Sequence, residues 1–138
     1  MTHQVYGIGY SKRKLSDVAR IARSLDAVIF DIRWRAGSRN PSWNKSTLQR
    51  TLGERYVRAR ELGNVNYKGA VSEIEIADIE AGIHLIEESD KPVILLCVCK
   101  DPKVCHRTVI GQELQRRGFE YEELNAHPAS FELLAFML

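Results

Sequence analysis

The stretch PVILLCVCKDPKVCHR, residues 92–107, decides how the chain is read. Its first half, Pro92 to Cys99, is almost wholly apolar. A strand with one wet face alternates apolar and polar side chains, whereas one covered on both faces does not. This run is therefore expected inside a sheet with helices on both sides. A turn follows at 100–104, opened by Asp101-Pro102. A helix then runs from about His106 to Arg117 and stops at Gly118, since glycine accepts the left-handed conformation that ends helices.

Outward from this strand the pattern repeats. Val5 to Gly9 reads as a strand. Lys14 to Leu25 is a helix, with Leu15, Val18, Ala22 and Leu25 at helical spacing. Ala27 to Arg33 is a compact apolar strand. Trp34 to Trp43, holding Gly, Ser, Asn and Pro, is a loop. Lys45 to Leu52 is a short helix ended by Gly53, Arg55 to Ala59 a strand, and Glu61 to Ala70 a loop. Ser72 with Glu75 forms a capping-box pattern. It opens a helix on which Ile76, Ile79, Ile83 and Ile86 repeat. Tyr121 to Leu124 is the last strand. Ser130 to Leu138 is an apolar terminal helix that packs on the sheet or forms the seam of a homodimer. Strands alternating with helices imply a three-layer α/β sandwich with a mostly parallel sheet. With 138 residues and no linker or repeat, the chain reads as one domain, residues 1–138.

Composition narrows the function classes. Apolar residues make up 44% and charged residues 28%, as in ordinary globular proteins. No apolar run approaches the ~20 residues a membrane span needs. The opening MTHQVYGIGYSKRK has no apolar signal core. Three cysteines crowded into one segment suit a reducing cytoplasm better than a disulfide framework. Net charge is +2, but nine basic residues fall between Arg33 and Lys68 against only Glu54 and Glu61. Such a block suggests an anionic partner: a phosphorylated small molecule, a nucleotide or nucleic acid.

In open parallel sheets ligands bind beyond the carboxyl ends of the strands. That rule gathers Gly9 and Ser11, Asp31 and Arg33, and Cys97 to Arg107 on one edge. Cys97 and Cys99, two apart on a strand, share a face. Cys105 and His106 fall at a helix N-terminus, where free N–H groups bind anions and lower thiol pKa values. Four readings follow. One is a zinc site through Cys97, Cys99, Cys105 and His106, although this spacing is not a standard zinc pattern. Another is a thiolate nucleophile, Cys99 or Cys105 with His106 as proton partner. A third is an anion cradle of loop, helix N-terminus, His106 and Arg107. The last is structural burial, favoured for Cys97. Asp31 and Arg33 face one way and either orient toward a phosphate or form a plain ion pair. Ser38-Arg39-Asn40-Pro41, bracketed by Trp34 and Trp43, suits an anion beside stacking aromatics. Tyr67-Lys68-Gly69 reads as a possible lid.

GIGYS at 7–11, FDIRWRAGSRNPSW at 30–43 and LLCVCKDPKVCHR at 95–107 together resemble the family numbered 488 among domains of unknown function. The matching positions are Ile8, Gly9 and Ser11, then Asp31, Arg33, Ser38 and Arg39, then Cys97, Cys105, His106 and Arg107. Tyr10 stands where the family often has histidine, and Cys99 where it often has an acid. The resemblance implies a Rossmann-like α/β fold and no assigned activity.

The sequence thus leads to a cytoplasmic protein with a pocket at the carboxyl edge of its sheet. Arg33, Arg39 and Arg107 are expected to hold a phosphate-bearing ligand, with Gly9, Ser11, Asp31 and Ser38 in the wall. No cofactor is expected. A cysteine-dependent enzyme using Cys99, Cys105 and His106, or a zinc-binding module, is the alternative.

Overall fold

The computed structural model describes residues 4–99, 105–126 and 129–138, so the turn expected at 100–104 lies outside the described residues. Ten principal elements follow one another: β1 (Gln4–Gly9), α1 (Leu15–Leu25), β2 (Val28–Asp31), α2 (Lys45–Leu52), β3 (Tyr56–Arg58), α3 (Ile79–Glu88), β4 (Val93–Cys97), α4 (His106–Arg116), β5 (Glu120–Glu123) and α5 (Phe131–Met137). The strands form one sheet in the order β3-β2-β4-β1-β5, and all their pairings are parallel.

The apolar run behaves as its composition requires. All five β4 side chains are buried. Ile94 and Leu96 enter one core with α1, α2 and α5. Val93, Leu95 and Cys97 enter a second core with Ile83 and Ile86 of α3 and Ile110 and Leu114 of α4. Two apolar layers therefore sandwich the sheet, and β4 feeds both through the two-residue period of a strand.

This layering creates a crevice. The chain leaving β2 crosses to the α1/α2 face, and the chain leaving β4 crosses to the α4 face. Adjacent strands whose connections diverge leave a gap at their carboxyl ends. β2 and β4 are such neighbours, paired from Val28↔Val93 to Asp31↔Leu96.

Three boundaries differ from expectation for local reasons. The α3 helix starts at Ile79, not near Ser72. A capping box needs the Ser72 side chain to accept from the Glu75 N–H, but Asn64 Oδ1 takes that donor at 3.0 Å. Asp78 caps α3 instead, accepting from Ala81 N at 3.1 Å. Strand β2 ends at Asp31 because Arg33 folds back onto that carboxylate. Strand β4 ends at Cys97, so Cys99 lies beyond the strand, yet it packs on the same core layer as Cys97, as expected. The α5 helix packs against α1 through Phe131, Leu134 and Ala135, while Leu133, Phe136 and Met137 are exposed. Among the described residues no helix is long and apolar enough to cross a membrane.

Candidate functional site

A cavity of about 550 Å³ opens at the crevice between the carboxyl ends of β2 and β4. Trp34, Arg35 and Tyr67 line it on one side, and Cys97, Cys99 and His106 on the other, with Arg33 and Asn64 between.

The first wall rests on a buried carboxylate. Asp31 is fully buried and Arg33 nearly so. Arg33 meets Asp31 as a two-pronged pair, Nε to Oδ1 at 2.8 Å and Nη2 to Oδ2 at 2.7 Å. Tyr56 donates its hydroxyl to the same Oδ2 at 2.6 Å. Burial and that bond push the Tyr56 hydroxyl well up, so it stays protonated. Arg33 Nη1 donates to the Trp43 carbonyl at 2.7 Å and to the Tyr10 hydroxyl at 3.2 Å. Tyr10 in turn stacks on Trp43 with ring centroids 4.3 Å apart. Arg58 and Arg60 donate to the Trp34 carbonyl at 3.0 and 3.1 Å, and Arg60 lies 3.6 Å over the Trp34 ring. Thus Arg33, Arg58 and Arg60 build the wall, and Arg55 pairs with Asp26 at 3.0 Å. Four of the nine basic residues are thus engaged in internal contacts, while Arg35, Arg39, Lys45, Arg50 and Lys68 are exposed. Of these five, Arg35 is the one that lines the cavity. It is exposed, makes no ion pair among the described residues, and stands 5.9 Å over the Tyr67 ring. Asn64 is buried, and its Oδ1 holds the N–H groups of Asn66 and Glu75. Its amide nitrogen has no hydrogen bond among the described residues.

The second wall is a thiol cluster over a buried guanidinium. Arg107 is fully buried. Its Nε and Nη2 grip Glu123 at 2.9 and 3.0 Å. Its Nη1 donates to Cys97 Sγ at 3.1 Å and to the Cys99 carbonyl. Burial alone pushes the Cys97 thiol up. A hydrogen bond from Cys105 and the Arg107 charge outweigh it, and the thiol lies below its ordinary value. Cys105 gives that hydrogen bond, which is the main reason its own thiol is pushed up to about 12. Cys105 is also the N-cap of α4, its sulfur accepting from Arg107 N at 3.5 Å. The helix end does not lower the Cys105 thiol, because Cys105 donates to Cys97, and it is Cys97 that sits against the guanidinium. His106 Nε2 lies 2.9 Å from the Ile32 carbonyl. A carbonyl oxygen only accepts, so Nε2 carries the proton and Nδ1 presents a bare lone pair. Burial keeps the ring's pKa low, which favours this neutral form. Nδ1 lies 3.9 Å from Cys105 Sγ. Cys97, Cys105 and His106 place one ligand atom each within 4.8 Å of one another.

The residues expected from sequence separate into groups. Arg33, Cys99 and His106 line the cavity, and Cys105 adjoins them. Asp31 and Arg107 lie behind the walls. Neither Arg33 nor Arg107 presents a free cation, because each is turned onto an internal carboxylate. Gly9 is a packing residue: a Cβ there would run into the Cys99 carbonyl. Ser11 does not line the cavity, but its N–H donates at 3.0 Å to the carbonyl of Val98, which does. Ser38 shapes its own loop, its N–H on Asn44 and its hydroxyl accepting from Asn40. Arg39 is exposed on that loop and does not line the cavity. Cys97 is buried, as expected from sequence, and its sulfur also meets Arg107 and Cys105. Arg35 and Asn64 were missed. Arg35 was one of nine similar charges, and Asn64 gives no sequence signal beyond a polar residue in a Gly/Asn loop.

Residues 14–114, well over half of the chain, match the family model described as Domain of unknown function DUF488. The matched span holds every residue lining the cavity, whereas Gly9 and Ser11 precede it. No curated protein and no solved structure matches the chain. The resemblance carried by the Asp31, Arg33 and Cys105-His106-Arg107 motifs is therefore membership: the chain belongs to the DUF488 family of domains of unknown function.

Proposed function

We propose that the cavity binds a phosphate-bearing aromatic ligand, a nucleotide or the end of a nucleic-acid strand. The observation that carries this reading is Arg35. It is a cation without an ion-pair partner among the described residues, poised over Tyr67 at a cavity also walled by Trp34. A base stacked on Tyr67 or Trp34 contributes roughly 1–3 kcal/mol, and arginine adds cation–π and phosphate contacts. The Asn64 amide supplies a directional donor for a base or sugar. Arg39, exposed on the neighbouring loop, supplies a second charge. Arg33, neutralised by Asp31, holds the Trp34 loop in place.

Small molecules released from freshly isolated protein by denaturation and identified by mass spectrometry test this reading. A nucleotide or other phosphorylated aromatic compound, at up to one per chain, supports it. A purely apolar ligand contradicts it.

A second reading is favoured by the lowered Cys97 thiol: a thiol-dependent reaction on the bound ligand, with Cys97 as nucleophile and Cys105 sharing its proton. This moves the expected nucleophile from Cys99 or Cys105 one step deeper, to the sulfur that Arg107 supports.

A further inference from the structure

We propose that Cys97, Cys105 and His106 form a three-ligand zinc site whose fourth position opens into the cavity. Zinc takes thiolate at about 2.3 Å and imidazole nitrogen at about 2.0–2.1 Å in tetrahedral geometry, which sets sulfur and nitrogen about 3.6 Å apart. Cys105 Sγ and His106 Nδ1 already stand 3.9 Å apart, and the Cys97 sulfur lies within 4.8 Å of both. The Cys105–His106 pair needs to close by a few tenths of an ångström, and the widest separation in the set by up to about 1.2 Å, within reach of small side-chain rotations, to bring the three onto one ion.

The surroundings fit ligation. A metal-bound histidine usually donates its other ring N–H to a carbonyl or carboxylate, which fixes the tautomer and aims the lone pair. His106 does this with the Ile32 carbonyl. Ligating thiolates are commonly steadied by N–H donors, and both sulfurs have one: Arg107 Nη1 on Cys97, and the Arg107 backbone N–H on Cys105. Charge also balances. Glu123 matches the Arg107 charge through two nitrogens, and two thiolates match one dication. On binding, protons still held by the thiols leave to solvent, and no electron moves. Two sulfurs and one imidazole select zinc among abundant divalent ions, and three protein ligands with a fourth open position mark a reactive rather than a purely structural site. Cys97 and His106 line the cavity, so the open position faces it. This last point rests on the cavity reading above. The ligand set itself does not. Under this proposal the Cys97 thiolate holds a metal rather than attacking a substrate.

The whole chain is stripped with a chelator, reloaded with zinc or cobalt, and freed of excess metal. The proposal predicts about one metal per chain. It predicts a sulfur-to-metal charge-transfer band and strong tetrahedral visible bands in the cobalt form. X-ray absorption of the zinc form should show two sulfurs in the first shell, with nitrogen or oxygen completing it. Cys99→Ser keeps these signals. Cys105→Ser weakens metal binding by more than about a hundredfold, since loss of a mere supporting contact already costs about 10–100-fold. A chain that retains no metal, or an ion surrounded only by nitrogen and oxygen, overturns the proposal. The wild-type spectra decide even if a variant folds poorly. Nucleoside monophosphate binding measured on the stripped chain separates the two claims. Intact binding without metal ligation defeats the zinc site alone, and metal ligation without nucleotide binding defeats the cavity reading alone.

Discussion

Arg107 reaches three parts of the molecule with one guanidinium: Glu123 on β5, Cys97 at the end of β4, and the Cys99 carbonyl beyond it. Arg107→Gln keeps bulk and some donors but removes the charge. Breaking a buried pair in this way costs about 3–5 kcal/mol, read as a fall in urea unfolding free energy. It should also raise the titration of Cys97, followed by thiolate absorbance in the metal-free chain. An unmoved thiol would show that Arg107 does not support that charge. The Asp31–Arg33 pair gives a second contrast. Asp31→Asn leaves a guanidinium buried without its counter-charge and is expected to cost about 3–5 kcal/mol. Arg55→Ala breaks the more exposed pair with Asp26 and is expected to cost under about 1 kcal/mol. At this scale the sequence placed Cys97, Cys99, Cys105, His106 and Arg107 together at the sheet edge, where they lie, but not the contacts among them. Nothing local to Arg107 shows that Glu123, sixteen residues later and one strand over, takes up its charge. Nor does spacing reveal that Cys97, rather than Cys105, faces that charge.

Among the elements, β4 was the most legible, because five consecutive apolar residues have no place except between two layers. Helix α3 was misplaced at its start, because a distant side chain, Asn64, claims the donor that a local capping box would have used. The cap assignment is testable. Asp78→Ala should cost about 1 kcal/mol of unfolding free energy, as loss of an N-cap does. Ser72→Ala should stay within about 0.5 kcal/mol, as for an uninvolved surface residue. Equal losses at both positions would restore the helix start near Ser72. The β1 end is constrained from across the sheet. Gly9→Ala places a methyl into the Cys99 carbonyl and pushes the segment after β4 away from β1. Because that segment carries Cys99 beside the thiol cluster, the metal-free chain should show both a lower unfolding midpoint and an altered Cys97 titration. A loss of stability with unchanged titration would mean that the segment moves without the cluster.

For the whole molecule, the parallel sandwich follows from alternating strands and helices. The strand order β3-β2-β4-β1-β5 does not. It depends on which face each connection crosses. That order makes β2 and β4 neighbours with diverging connections, and so joins the aromatic, arginine-bearing loop after β2 to the thiols after β4. Sequence reasoning placed both at one edge by the carboxyl-end rule. It could not see that Arg33, Arg58 and Arg60 are spent on a carboxylate and on backbone carbonyls within that edge, while Arg35 lines the cavity. The most direct measurement is a calorimetric titration of the chain with nucleoside 5′-monophosphates and the matching nucleosides, repeated for Arg35→Ala and Tyr67→Ala. One saturable site per chain is predicted. Loss of the phosphate or of Arg35 should weaken it by about tenfold or more, equal to about 1.4 kcal/mol, and Tyr67→Ala by a similar factor through lost stacking. Absence of saturable binding, or binding indifferent to the phosphate, to Arg35 and to Tyr67, would contradict the cavity's assignment as a nucleotide site.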